Sequence, residues 1–174
     1  MLQINDQILQ VTPQKLAGVK LIKPPTVFED FRGDYVEIYN ERQYKEAGIL
    51  NHFVQEDTAF SHKHVLRGLH GDDKTTKLVK CVYGELYVVI ANNDPDSAHY
   101  QQWQAFLLTA QNRLQVYVPP KHGTGYLVMS EGAVFHYKQD TYYEDCKQFT
   151  IKWNDPSFNM WWPVKETIRS MRDE

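Results

Sequence analysis

Leu86-Tyr87-Val88-Val89-Ile90-Ala91, followed at once by Asn92-Asn93-Asp94-Pro95-Asp96-Ser97, sets the reading of the whole chain. Six apolar residues rich in β-branched and aromatic types make a short buried strand, and the Asn, Asp, Pro and Ser behind them carry the side chains that close turns. The same unit recurs on both sides. Val19 to Ile22, Tyr35 to Tyr39, Phe53 to Gln55, Leu78 to Tyr83, Trp103 to Leu108, Leu114 to Val118, Tyr126 to Met129, Val134 to Tyr137 and Phe149 to Trp153 are further strand candidates. Pro119-Pro120-Lys121-His122-Gly123 and Asn154-Asp155-Pro156 are further turns. Close spacing of short strands predicts an all-β sandwich or barrel of hairpins. One short helix is expected in the N-terminal half, where Asn40 caps, Gln43 answers three residues on and Gly48 closes. No repeat or Ser/Gly linker offers a place to cut, so residues 1–174 are expected to form one domain.

Composition narrows the classes of function. Nineteen Lys+Arg against 22 Asp+Glu give a net charge of -3, which offers no sequence-wide basic field for nucleic acid. The longest apolar run is the six residues from Leu86 to Ala91, far short of the roughly 20 that span a bilayer, and the start MLQINDQILQ lacks an apolar leader segment. A cytoplasmic protein with no membrane contact is expected. Two cysteines, Cys81 and Cys146, fit neither a disulfide framework nor a CxxC metal knuckle and read as thiols. Aromatic residues at 13%, with 11 Tyr and 4 Trp, suit either a β-rich core or a ligand cavity lined by flat amphipathic side chains.

A β-barrel of this size encloses one small ligand among inward-facing side chains, so chemistry is sought in polar residues inside strands. Leu66-Arg67-Gly68-Leu69-His70 sets a guanidinium and an imidazole three residues apart, and Lys77 opens the next strand. If these strands are neighbours, Arg67 suits a phosphate, His70 exchanges a proton near neutrality, and Lys77 faces a developing negative oxygen. By spacing alone they equally read as solvated strand-edge charges and a turn histidine. In Phe135-His136-Tyr137-Lys138, strand alternation sends His136 and Lys138 to one face and Phe135 and Tyr137 to the other. Tyr137 then faces the interior, as a core tyrosine with a polar tip or as a proton donor. Asp173 by itself reads as part of a frayed terminus.

Beyond these patterns, Asp30-Phe31-Arg32-Gly33-Asp34-Tyr35-Val36-Glu37, Phe53-Val54-Gln55, Leu66-Arg67-Gly68-Leu69-His70, Lys77-Leu78-Val79, Tyr137-Lys138, Tyr142-Tyr143, Trp153-Asn154-Asp155-Pro156 and Trp162-Pro163 follow in the order found in the dTDP-4-dehydrorhamnose 3,5-epimerase family. The resemblance covers nearly the whole chain. It implies a cupin-type double-stranded β-helix (jelly roll), a homodimer, and an epimerase acting at carbon 3 and/or carbon 5 of a nucleotide-diphosphate-linked 4-keto sugar for surface polysaccharides, with no cofactor. By similarity, His70 is the base, Asp173 orients and polarises it, Lys77 steadies the enolate oxygen and Tyr137 returns a proton on the opposite face. Arg67 holds the diphosphate and Tyr143 stacks on the nucleobase, near which Gln55 and Asp57 stand. Arg32, Tyr35 and Glu37 match the segment that reaches the nucleotide from the partner subunit. The residue types make chemical sense. An enolate needs its charge met, a donor of that kind being worth about 10² to 10³ in rate, and inversion needs an acid and a base on opposite faces.

Departures lie beside the sugar and base pockets. The loop Gly71-Asp72-Asp73-Lys74-Thr75-Thr76 is shorter than the family's, Thr124 stands where the family has histidine, with His122 displaced by two, and Asp57 stands where Asn is common. The short loop and the Phe-His-Tyr-Lys-Gln run look closer to a capsule-pathway branch acting on GDP-linked 4-keto heptoses. Three rival readings accompany the epimerase. A metal-dependent cupin would use His62, His64 and His122, although no Glu follows His64 at the usual spacing. A sugar-nucleotide 3,4-ketoisomerase would use similar proton transfers. A non-catalytic sugar-nucleotide binding module would not need a matched base, acid and cation.

Overall fold

A computed structural model describes residues 3–6, 9–24 and 26–174. The strands are β1 (Gln3–Asp6), β2 (Gln10–Pro13), β3 (Lys20–Lys23), β4 (Thr26–Asp30), β5 (Gly33–Val36), β6 (Gln55–His62), β7 (Leu66–Gly71), β8 (Lys77–Tyr83), β9 (Glu85–Asn92), β10 (Trp103–Thr109), β11 (Gln115–Val118), β12 (His122–Val128), β13 (Gly132–Gln139) and β14 (Phe149–Thr150). Helix α1 (Glu41–Glu46) precedes β6, and a 3-10 turn (Tyr143–Asp145) follows β13.

The strands build a six-stranded sheet in the order β2-β3-β11-β8-β13-β6, a five-stranded sheet in the order β10-β9-β12-β7-β14, and a three-stranded sheet β1-β4-β5. The two larger sheets enclose a core of Val79, Cys81, Leu86, Val88, Ile90, Val116, Tyr126 and Phe135. This is the jelly-roll architecture of a cupin. Both larger sheets are also covered on their outer faces. Tyr44 of α1 and Ile49 pack with Ile22 and Leu78 on the six-stranded sheet, while Ile151, Phe158 and Trp162 pack with Leu66, Val89, Ala91 and Leu127 on the other. That double covering explains the unbroken apolar run of β9. Val88 and Ile90 enter one cluster and Val89 and Ala91 the other, so the run from Val88 to Ala91 is buried on both faces of the sheet.

The helix forms where Asn40 predicts it. Its side chain accepts the Gln43 N–H at 3.4 Å, and Gly48, at φ +81, takes the left-handed position beyond the Ala47 cap. The reciprocal arm is not made, because the Gln43 side-chain oxygen is buried without a partner among the described residues. Four expectations need correction, the first being that the run from Phe149 to Trp153 pairs as a strand only over Phe149–Thr150. The run from Tyr35 ends as a strand at Val36, where β5 loses its partner β4. The turn before β12 stops at Lys121, since His122 and Gly123 pair with Asn92 and Ala91 of β9. β6 extends through the polar Gln55–His62, an edge strand with one side of its ladder unpaired and so without an apolar signature.

Candidate active site

Arg67 and His70 are three residues apart, and in a regular strand they would point to opposite faces. β7 resolves this with a bulge. Tyr126 pairs with Arg67 and Thr124 with His70, so three steps on β7 match two on β12 and both side chains turn into one cavity. Gly68 sits in the bulge at φ +106, where an added Cβ would lie 2.6 Å from the Gly125 Cα and the Thr124 carbonyl oxygen. The glycine between the guanidinium and the imidazole is therefore a geometric requirement of the site.

The cavity, of about 200 Å³, gathers residues from both sheets and from the chain end. His70 Nε2 lies 2.8 Å from Asp173 Oδ1, and its Nδ1 lies 3.1 Å from the Thr150 hydroxyl. Asp173 is buried. Its Oδ1 also accepts the Gly68 N–H at 3.2 Å and its Oδ2 accepts the Ser170 hydroxyl at 2.8 Å. The chain end is tied down by the Leu66 N–H donated to the Ile168 carbonyl at 2.9 Å and the Ile168 N–H donated to that of His64. An acceptor-only carboxylate at Nε2 selects the Nε2–H tautomer and leaves the Nδ1 lone pair basic. Burial, and then the Arg172 charge, hold His70 below its ordinary range, with Asp173 opposing both.

Lys77 enters at the head of β8, with Nζ 5.7 Å from the Tyr137 ring centre. Burial lowers its pKa and the Asp72 carboxylate opposes that shift. The short loop after His70 is folded around the same carboxylate, which accepts the Lys74 and Thr75 N–H groups at 2.9 and 2.7 Å and the Gln148 amide at 2.9 Å. β13 alternates as its sequence predicts. Phe135 and Tyr137 line the cavity, while His136 and Lys138 each meet a Glu56 oxygen at 2.5 Å on the opposite face. Burial, joined by the Asp57 charge, pushes the Tyr137 phenol up to about 12.

Arg67 donates through Nε to the Ser61 hydroxyl at 3.0 Å, and Ser61 lies 3.2 Å from the Tyr126 hydroxyl. Its terminal nitrogens have no protein partner among the described residues. Arg172 also lines the cavity, so three cations surround a space whose acidic neighbours, Asp72 and Asp173, are already engaged. Thr124 lines it too, with a buried hydroxyl that has no partner among the described residues. At the mouth, the half-exposed Tyr143 donates its N–H to Gln55 Oε1 at 2.9 Å, and Gln55 Nε2 donates to Asp57 Oδ2 at 2.8 Å. Gln55 and Asp57 stand beside Tyr143 and Tyr137 and are absent from the cavity wall.

Three expected residues lie elsewhere in this chain. Arg32 pairs with Asp30 at 2.6 Å and shares a separate depression with Tyr35 on the β4–β5 hairpin, and Glu37 accepts from the Asn40 amide at 3.3 Å. The histidines of the metal reading do not converge. His62 packs edge-on against Phe60 and His122 Nδ1 meets the Pro120 carbonyl at 2.9 Å; among the described residues no group of three His, Cys, Asp or Glu side chains is placed to hold a metal. Motif reading missed Arg172, Gln148 and Thr150. Arg172 adjoins the predicted Asp173 and offered the one available signal, a cation beside a carboxylate at the chain end.

The fold and the site together define a cupin-type jelly roll in which an imidazole–carboxylate pair, a buried lysine and a buried phenol meet at one cationic cavity. A sequence profile described as dTDP-4-dehydrorhamnose 3,5-epimerase matches residues 13–174, and the chain belongs to that family. It is 37% identical over 150 residues to the dTDP-4-dehydrorhamnose 3,5-epimerase of Salmonella typhimurium, covering 84% of this chain and 82% of that one. The crystal structure of the enzyme of the same description from Elizabethkingia anophelis superposes with a TM-score of 0.87 at 36% identity, over 96% of this chain and 94% of that one. A dTDP-6-deoxy-D-glucose-3,5-epimerase from Legionella pneumophila, solved in complex with dTDP-4-keto-L-rhamnose, gives 0.87 at 31% identity over 95% and 89%. No helix of the described residues is long and apolar enough to cross a membrane.

Proposed function

We propose that this protein is an epimerase that inverts carbon 3 and/or carbon 5 of a dTDP-linked 4-keto-6-deoxy sugar through an enolate, without a cofactor. The observation that carries the reading is the convergence of His70–Asp173, Lys77 and Tyr137 on one cavity. His70 Nδ1 removes the proton beside the carbonyl, and Asp173 stabilises the imidazolium that results. The electron pair moves onto the carbonyl oxygen, where the Lys77 ammonium meets it. Tyr137 then protonates the carbon from the opposite face, and both residues return to their starting states by exchange with solvent, so no net proton is gained or lost. Arg67 and Arg172 suit the diphosphate, Thr124 offers the sugar a hydroxyl, and Tyr143 at the mouth suits the base.

Arg32, Tyr35 and Glu37 are outside this chain's own cavity, which supports a homodimer in which they reach the nucleotide of the partner subunit. A nucleotide-linked substrate and the free thiols Cys81 and Cys146 support a cytoplasmic setting. The similar proteins carry dTDP-linked sugars in their names, and the GDP-heptose branch is not needed to account for the matches. The test is incubation with dTDP- and GDP-linked 4-keto sugars in deuterated water. Deuterium at carbon 3 or 5 of the dTDP sugar is expected; incorporation confined to a GDP sugar would replace the substrate, and none with either would overturn the reading.

A further inference from the structure

We propose that Asp57, held by Gln55, is a positioning residue that keeps the Tyr137 phenol in its donor form and links that state to the Tyr143 turn at the cavity mouth. The inference rests on the reading of Tyr137 as the acid. In the β6–β13 ladder Asp57 is directly opposite Tyr137, which puts their side chains on the same face at neighbouring positions. Gln55 is two residues before Asp57 and so shares that face. Its amide is used at both ends, Nε2 donating to Asp57 Oδ2 at 2.8 Å and Oε1 accepting the Tyr143 N–H at 2.9 Å. Those opposed partners fix the amide's orientation, because neither end can exchange roles, and they fix the carboxylate with it.

The consequence follows from what else faces the phenol. Lys77 approaches from β8, Tyr126 from β12, Tyr143 from the 3-10 turn and Asp57 from β6. The Lys77 ammonium favours a phenolate, and a phenolate at this position would be a second base, unable to complete inversion. Burial and the Asp57 carboxylate act in the opposite direction and prevail. Asp57 therefore adds to burial in holding the group opposite His70 as a proton donor and extends that state further into the alkaline range. An asparagine at this position could hold Gln55 through its oxygen but would bring no charge to the phenol. Because Gln55 also takes the Tyr143 N–H, a shift of the turn at the mouth is transmitted to the carboxylate beside the acid.

The test is Asp57→Asn in protein labelled with ¹³C at tyrosine Cζ. The Tyr137 resonance is assigned by its loss in Tyr137→Phe and followed toward alkaline pH without substrate. The expected result is a fall in the Tyr137 midpoint by about one pH unit or more, a tenfold change in its acid constant. The alkaline limb of net inversion should move down with it. Gln55→Ala, which leaves the carboxylate in place but unheld, should shift the midpoint in the same direction by less, and it carries the test if Asp57→Asn does not fold. An unchanged midpoint would overturn the proposal. If the parent exchanges deuterium with no 4-keto sugar, the epimerase reading falls, and the resonance titration still decides whether Asp57 governs the phenol.

Discussion

Asp173→Asn removes a charge while leaving almost every contact in place. Asp173 Oδ1 accepts from both His70 Nε2 and the Gly68 N–H. The Gly68 N–H is a fixed donor, so it turns an asparagine to present oxygen on that side, and the amide nitrogen meets Ser170, whose hydroxyl can rotate to accept. The His70 tautomer and ring position survive, and the lost quantity is the attraction between the carboxylate and the imidazolium formed when His70 takes the proton. Two unit charges about 4 Å apart in a partly buried site interact by about 4 kcal/mol. The amide dipole retains part of this, leaving an expected loss of about 10² to 10³ in the rate of deuterium incorporation. The pH profile separates this from simple mistitration. Burial and Arg172 hold His70 below its ordinary value of 6.5 while Asp173 opposes them, so the parent's acid limb should lie below 6.5. Asp173→Asn should move it lower still, leaving the base neutral at pH 7 in both proteins, with the loss appearing on the plateau. Incorporation within about threefold of the parent, or an acid limb that moves up, would refute the role of the carboxylate.

Lys77→Met keeps the stem and removes the ammonium, and should slow deuterium incorporation at every sugar carbon by about 10² to 10³; near-normal exchange would take Lys77 out of the reaction. Tyr137→Phe should still admit deuterium from the His70 side with retention, while net inversion drops by about 10² to 10⁴; inversion at close to the parent rate would return Tyr137 to the role of a core residue. Gly68→Ala forces a left-handed alanine against the Gly125 and Thr124 backbone, and should lower unfolding free energy by about 3 kcal/mol or more in urea titration, whereas a stable, active variant would dissolve the bulge argument. Arg32→Ala and His70→Asn, each inactive alone, should regain activity when their subunits are exchanged, because a mixed dimer rebuilds one intact site; no recovery, or full activity from a sedimenting monomer, would exclude the cross-subunit arrangement.

Local patterning was enough for the fold class. Apolar runs of about six residues closed by Asn, Asp and Pro commit the chain to short strands, and the capping Asn40 with the left-handed Gly48 commits it to one small helix, since backbone and turn preferences act over a few residues. The alternation in Phe135-His136-Tyr137-Lys138 likewise assigned Tyr137 to the interior, because strand parity is a local property. Parity misleads at Arg67 and His70. Only the bulge opposite Gly125, a feature of two paired strands, turns both side chains into one space. β6 was legible only at its first residue, because an edge strand needs a partner's hydrogen bonds more than apolar side chains. The partnership of His70 with a carboxylate 103 residues away, the addition of Arg172, Gln148 and Thr150 to the site, and the placement of Asp57 beside Tyr137 all depend on closure of the ladders and on the docking of the chain end against β7. Covalent neighbours carry no record of contacts made across that distance; ordered motifs named His70 and Asp173 by resemblance, and tertiary structure decided how they meet.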